Sequence, residues 1–225
     1  STACPSSAPP RTSFEPYLEW VAPARVHECG LAACDIARLC IRTPLLLNIS
    51  TERIRTAVAR VEGLLGVPRG SPMFKHALQA VAFLNEEKIT ANVEHLKKAF
   101  RWSDVEVGIA VSKAPTLLTR TKESLQRRSE FLISEVGLEP TYIAHRPVML
   151  TYSLEGRLRP RYYAVKFLKE NGLHKRGPSY FTVFNQTDNV FRAKYICPHK
   201  EAAPHLQEDY DAACKGEVPT NFRFT

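Results

Sequence analysis

The residues of this chain best suited to chemistry are arginines and lysines spaced along one predicted helix. Arg157, Arg159 and Arg161 come first, and Lys166 and Lys169 follow. Arg157 and Arg161 are four residues apart and Lys169 comes eight residues later, so these three share one helical face. Guanidinium groups in a row suit phosphate oxygens, and each contact adds salt-dependent affinity. The pattern predicts binding to a polyanion.

A second group of basic residues lies on an earlier predicted helix. These residues are close to the apolar ridge of Leu125 and Leu132, and we expect them to turn outward: Lys122, Arg127 and Arg128. With the five residues above, they form the predicted set of eight nucleic-acid-binding residues.

The distribution of charge agrees with a polyanionic partner. The chain has a net charge of +8 and a pI near 9.3. Residues 101–200 contain 17 Lys and Arg against 9 Asp and Glu, whereas residues 201–225 contain 2 against 5. The alternatives are that these helices are merely solvated, or that an arginine ties its helix to a neighbour through Glu155 or Glu170.

Sequence motifs of catalysis are missing. The chain has no Gly-rich phosphate loop, no GxSxG and no HExxH, and no histidine has an obvious nucleophile partner. We therefore predict a protein that is not an enzyme and that needs no cofactor.

The six cysteines are too irregularly spaced in a chain of 225 residues to predict a disulfide scaffold. Two Cys–His pairs resemble halves of zinc sites, but neither has the paired spacing of tetrahedral coordination: His27 with Cys29, and Cys197 with His199. An acidic cluster near the end of the chain lacks the Gly-turned loop of a calcium site: Glu208, Asp209 and Asp211. We predict no metal site.

The elements that must position the basic residues form a repeat. Pro115 is followed by leucines 3, 10 and 17 residues later, and Pro147 is followed by apolar residues in the same pattern with one residue of slip. The same register fits upstream from Pro44 and from Gln79, where the proline is lost. The predicted apolar positions are Leu47, Ile54, Val61, Ala82, Ile89, Leu96, Leu118, Leu125, Leu132, Leu150, Leu158 and Val165. Helix pairs at a period of 32 to 36 residues are typical of a solenoid.

Composition predicts an all-α chain, with abundant Leu, Ala, Lys and Glu and few strand-like alternations. Residues 1–25 are expected to be a disordered lead with the remnant of an N-terminal cap, residues 26–200 the repeats, and residues 201–225 an acidic C-terminal capping tail. No apolar run is long enough to cross a membrane, and we expect no membrane partner. Because the chain begins at Ser1, we expect a processed or truncated start.

The pattern of proline followed by three heptad-spaced leucine-like positions resembles that of the mitochondrial transcription termination factor (mTERF) family. RPVMLTYSLEGRLRPRYYAVKFLKENGL is similar to its repeat, and the tail from Ile196 to Thr225 looks like that of grass members of the plant branch. The resemblance implies a right-handed α-solenoid whose repeats contain two α-helices and a short 3₁₀ turn. It also implies location in mitochondria or chloroplasts.

For function, the resemblance implies binding of double-stranded DNA along a basic concave face, with termination or initiation of organellar transcription as the outcome. RNA binding in intron splicing or ribosome assembly is the alternative within the family. A protein-interaction solenoid is the alternative outside it. We expect the chain to act as a monomer.

Overall fold

The computed structural model of the chain describes residues 49–174 and 179–217, together with Ile41. Within those residues all regular structure is helical, and no strand is found. The α-helices, numbered here in chain order, are α1 (Thr51–Gly63), α2 (Phe74–Val81), α3 (Glu86–Phe100), α4 (Asp104–Lys113), α5 (Lys122–Ser129), α6 (Pro140–His145), α7 (Arg159–Glu170), α8 (Tyr180–Asn185), α9 (Asp188–Phe191) and α10 (Leu206–Lys215). The predicted lead and cap of residues 1–25, Pro44 and Leu47 lie outside the described residues.

Tighter and wider helical turns adjoin these helices. The 3₁₀ turns are Pro115–Thr119, Pro147–Thr151 and Cys197–His199, and the π-helical turns are Glu130–Glu135, Leu154–Leu158 and Arg192–Ile196. Each π turn continues directly into or out of an α-helix, so a repeat's second helix is one rod with a local widening.

By their contacts, the residues up to Ile89 form one compact unit and the residues from Thr90 form a second. In the first unit, α1 packs against α2. In the second unit, α4, a 3₁₀ turn and α5 make one repeat, and α6, a 3₁₀ turn and α7 make the next. The first helices of these two repeats, α4 and α6, pack against each other.

The predicted apolar register is confirmed wherever the structure describes it. Eleven of its twelve positions are described, and all of them are buried in the core. Pro115 and Pro147 are buried as well, each as the first residue of a 3₁₀ turn. Proline suits this place because its missing N–H would find no partner in a first helical turn.

The one-residue slip of the fourth repeat has a structural explanation. The π turn Leu154–Leu158 holds one more residue than an α turn would, so Leu158 rather than Arg157 reaches the core. Beyond this turn the helix returns to α geometry, and Val165 is fully buried as the register requires.

Capping contacts mark the ends of several helices. Ser50 and Asn85 accept hydrogen bonds from the first turns of α1 and α3, and Ser103 forms a capping box with Glu106. At the other end, Gly172 has a φ of +69°, which lets the Leu173 N–H donate to the Leu168 carbonyl at 2.9 Å.

Gln79, which stands where other repeats have proline, lies inside α2 instead of ending it. Without the proline ring the helix continues to Val81, and no 3₁₀ turn follows it in this repeat. Residues 179–199 also follow the pattern of a repeat. Thr187 caps α9, and Phe191 is buried at the second apolar position.

The last helix, α10, packs against α7 and against the π turn Leu154–Leu158, which precedes α7. It is acidic in its first turn and ends at Gly216, whose φ is +84°. This helix lies within the predicted acidic tail of residues 201–225. The capping function of the tail stays a prediction, and residues 218–225 lie outside the described residues. Among the helices that the structure describes, none is long and apolar enough to cross a membrane.

Candidate nucleic-acid interface

Arg161 is the least exposed charged side chain in the described part of the chain, at 2%. Its Nη1 donates to the backbone carbonyls of Val183 (3.0 Å), Phe184 (3.2 Å) and Gln186 (2.6 Å). Its Nη2 lies 3.6 Å from Oδ1 of Asp188. These carbonyls are at the end of α8, where helical hydrogen bonding runs out. The Arg161 guanidinium therefore supplies donors to the turn of the following repeat.

Arg157 binds the same turn from the neighbouring position. Its Nε donates to the Phe184 carbonyl at 2.9 Å and its Nη2 to the Gln186 carbonyl at 2.5 Å. The guanidinium carbon lies 4.0 Å from the centre of the Tyr152 ring, a cation–π contact. Burial and then the charge of Arg161 lower the pKa of Arg157 from its ordinary value.

In three repeats, a buried polar side chain comes three residues after the second apolar position of the register, which is Ile89, Leu125 or Leu158. These polar residues are Asn92, Arg128 and Arg161. Asn92 Nδ2 donates to the Leu118 carbonyl at 2.7 Å, and Arg128 Nη2 donates to the Tyr152 carbonyl at 3.0 Å. In each case the acceptor is a turn of the following repeat. Bonds from side chain to carbonyl therefore connect consecutive repeats of the second unit.

The expectation that Arg128 turns outward is wrong. Its side chain is buried, and its Nη1 also donates to the backbone carbonyl (3.0 Å) and the hydroxyl (2.5 Å) of Ser124. Burial lowers the pKa of Arg128. The side chain turns inward because the Tyr152 carbonyl, in the turn of the following repeat, accepts a hydrogen bond from it. A direct role in nucleic-acid binding stays a prediction for Arg128, Arg157 and Arg161.

Asp188 joins α9 to the last helix. Its carboxylate accepts from the Tyr210 hydroxyl at 2.8 Å and from Arg192 Nε at 2.5 Å, while Arg192 Nη1 lies 2.6 Å from Asp211 Oδ1. Burial by itself would raise the pKa of Asp188, but the hydrogen bonds from Arg192 and Tyr210 and the charges of Arg192 and Arg161 lower it. Burial, and then the hydrogen bond to Asp188, raise the pKa of Tyr210.

We expect Asp188→Asn to lower the free energy of unfolding by about 1–2 kcal/mol at pH 7, because charged hydrogen bonds are lost. A lowered folded-state pKa gives stability that is present above the ordinary pKa near 3.8 and is lost as the pH falls through the folded value. The difference between wild type and Asp188→Asn in urea unfolding should therefore shrink from pH 7 to pH 3. The control is Glu208→Gln, an exposed acid of α10; a constant difference across this pH range would contradict the expectation.

Six of the eight predicted binding residues keep solvent access. Arg157 is half-buried and its guanidinium binds carbonyls, and the other five lie on α5 or α7: Lys122, Arg127, Arg159, Lys166 and Lys169. Arg127 of one repeat and Arg159 of the next both contact Glu155. The Arg127 Nη2–Glu155 Oε1 distance is 2.5 Å, and the Arg159 Nη1–Glu155 Oε2 distance is 3.3 Å. One carboxylate thus brings the guanidinium groups of neighbouring repeats together.

The exposed lysines make only weak contacts. Lys166 Nζ lies 4.0 Å from Glu170, and Lys169 Nζ lies 5.6 Å from the centre of the Tyr180 ring. Ion pairs of this exposed kind contribute about 0–1 kcal/mol, so a phosphate can displace them readily.

Sequence reasoning missed two exposed basic residues at the ends of first helices. Lys113 Nζ donates to the His145 carbonyl at 3.1 Å, and the Arg146 guanidinium lies over the rings of Tyr142 (4.3 Å) and Phe181 (5.6 Å). The available signal was a basic residue one or two positions before the repeat proline.

The described residues contain no group of three His, Cys, Asp or Glu side chains that could hold a metal ion. His27 and Cys29 lie outside this part of the chain, as do Cys34 and Cys40. In the acidic cluster, Asp209 is buried and Asp211 is paired with Arg192.

These contacts define a helical-repeat protein in which some arginines connect the repeats and others present charge to solvent. A family model described as mTERF matches residues 24–192. The chain belongs to the mTERF family.

The chain is also similar to the mitochondrial transcription termination factor MTEF18 of Arabidopsis thaliana, with 25% identity over 107 residues. The match covers 48% of this chain and 19% of that protein. The chain therefore spans about a fifth of the length of this relative.

Proposed function

We propose that this chain is an organellar nucleic-acid-binding regulator that contacts the phosphates of double-stranded DNA through exposed basic residues of α5 and α7. The observation that carries the proposal is the meeting of Arg127 and Arg159 at Glu155. Forked donors from two neighbouring repeats meet at one carboxylate there, and such donors suit phosphate oxygens, which supports the proposal.

The proposal divides the eight predicted residues into two roles. The five that lie on α5 and α7 and keep solvent access contact phosphates: Lys122, Arg127, Arg159, Lys166 and Lys169. Arg128, Arg157 and Arg161 fix the spacing of the repeats by binding backbone carbonyls. A regular spacing of repeats gives a regular spacing of charges, which suits the periodic phosphates of a helical nucleic acid.

The fold that we propose around these residues is the right-handed solenoid of the family, with the basic residues on its concave side. The proposed outcome is control of transcription, by termination or initiation, in mitochondria or chloroplasts. The similarity to an Arabidopsis protein named a mitochondrial transcription termination factor supports this choice over splicing or ribosome assembly.

The experiment is a fluorescence-anisotropy titration of a DNA duplex and a structured RNA of equal length across a salt series. Tight duplex binding with a steep negative salt slope supports the proposal. Preference for the RNA moves the function to RNA processing, and no binding of either at low salt favours a protein-interaction role.

We expect Glu155→Gln to tighten duplex binding by about three- to tenfold, because it frees Arg127 and Arg159 and removes a negative charge next to the phosphates. The matched control is Glu201→Gln, which makes the same charge change at an exposed residue outside the proposed interface. Equal effects of the two substitutions in the anisotropy assay would mean that net charge, and not the Glu155 site, governs binding.

A further inference from the structure

The first unit contains a basic cavity that the proposed interface does not use. It has a volume of about 540 Å³ and lies between α1 and the loop from α2 to α3. Pockets that bind small ligands are usually about 300–1,000 Å³, so one nucleotide fits this volume. The lining side chains that matter here are Arg53, Arg60, Phe83 and Lys88.

Three of these side chains are cationic, and no acid lines the cavity. Arg53 and Lys88 are exposed, and neither is paired with an acid within the residues that the structure describes. Arg60 is held in place because its Nη1 donates to the Leu84 carbonyl at 2.9 Å. The acids of the first turn of α3, Glu86 and Glu87, are exposed and lie outside the lining.

The fourth side chain is aromatic and unusually exposed. Phe83 is 41% exposed, although most large apolar residues of the described chain are buried. An aromatic ring beside free cations is the combination that binds single-stranded nucleic acid, where a base stacks on the ring and the cations hold the backbone.

We propose that this cavity binds one nucleotide of a single-stranded nucleic acid, with the base against Phe83 and the flanking phosphates on Arg53 and Lys88. An unpaired nucleotide is required because bases in a duplex have both faces covered by their neighbours. The site shares no residue with the duplex interface proposed on α5 and α7, and it can be tested independently.

The test measures binding of the full chain to a fluorescein-labelled oligothymidylate of eight residues and to an abasic strand with the same number of phosphates. Phe83→Leu keeps the apolar volume but removes the ring. We expect it to weaken binding of the oligothymidylate about tenfold and to leave the abasic strand unchanged.

For the cations, the double variant Arg53→Ala/Lys88→Ala should reduce the salt slope by about 1.4 for both strands, since each single-strand phosphate contact contributes about 0.7. The charge-matched control is Lys98→Ala/Lys200→Ala, at two exposed lysines that do not line the cavity. We expect this control to keep the wild-type slope.

Two results would overturn the inference: a Phe83→Leu variant that binds the oligothymidylate as wild type does, or equal slope losses in the cavity variant and its control. A 20-bp duplex tested in parallel separates this inference from the proposed function. Loss of duplex binding in variants of α5 and α7, but not in Phe83→Leu, leaves the duplex proposal intact whatever the single strand does.

Discussion

Replacing Arg161 by Met is expected to lower the free energy of unfolding by about 3 kcal/mol. The Val183, Phe184 and Gln186 carbonyls would each lose a charged donor. Arg157 still donates to the last two, whereas the Val183 carbonyl loses the donor that Arg161 supplies, and a buried acceptor without a partner costs about 1–3 kcal/mol. Asp188 would lose one of its positive neighbours as well. Methionine keeps a long apolar chain in the same space, so the loss reports hydrogen bonding more than packing. Urea unfolding of the full chain measures it.

The matched control is Arg159→Met, two residues away on α7. The Arg159 side chain is 39% exposed, and its ion pair with Glu155 is a surface contact. Arg159→Met should therefore lower the free energy of unfolding by less than about 1 kcal/mol. Similar small losses in both variants would show that the carbonyls at the end of α8 find other donors when Arg161 is absent.

This contrast decides how nucleic-acid binding must be tested. Replacing Arg157, Arg159 and Arg161 together would remove two residues whose guanidinium groups bind the turn of the next repeat, in addition to the surface residue Arg159. A loss of binding in that triple variant would not separate a missing phosphate contact from a displaced repeat. Variants limited to the exposed residues avoid this ambiguity.

The repeat could be predicted from the sequence because it depends on local spacing. Burial of an apolar residue every seven positions after a proline follows from helical periodicity, and the described anchors from Ile54 to Val165 are all buried. Even the slip of the fourth repeat was visible, although only the structure shows that the π turn Leu154–Leu158 absorbs it.

The roles of the arginines could not be predicted in the same way. Arg157 and Arg159 are two residues apart in sequence, yet Arg157 binds carbonyls 27 and 29 residues away whereas Arg159 pairs with Glu155 at the surface. A guanidinium suits a phosphate and a row of backbone carbonyls equally well, because both are oxygen acceptors. The choice depends on which turn packs against the helix, and that contact is not local.

The cavity of the first unit was hidden for a related reason. Phe83 follows the buried Ala82 in an apolar stretch, and sequence alone gives it no role beyond the core. Because α2 continues through Gln79 to Val81 and no 3₁₀ turn follows, Phe83 comes to line the cavity with Arg60. The repeat in which Gln79 replaces the proline is thus also the one in which the Phe83 ring is exposed.

Neutralising four exposed cations, with Gln at Lys122, Arg127, Lys166 and Lys169, is expected to have the largest effect on duplex binding. Each phosphate contact contributes about 0.9 to the salt slope, so the slope should fall by about 3.6. At 0.1 M salt the affinity should fall by roughly a thousandfold relative to wild type, because the release of counterions is lost at four contacts. Folding stability should change little, since these residues make only exposed pairs.

The matched control places Gln at four lysines away from the proposed interface: Lys98, Lys194, Lys200 and Lys215. Both variants lose four positive charges, so a long-range effect of net charge appears in both, whereas direct contacts appear in only one. Anisotropy titrations of the same duplex at several salt concentrations give the two slopes. A salt slope that falls equally in both variants would mean that the net charge of the whole chain governs binding. A slope that falls only in the first would assign it to α5 and α7, and wild-type affinity of the first variant would remove these helices from the interface.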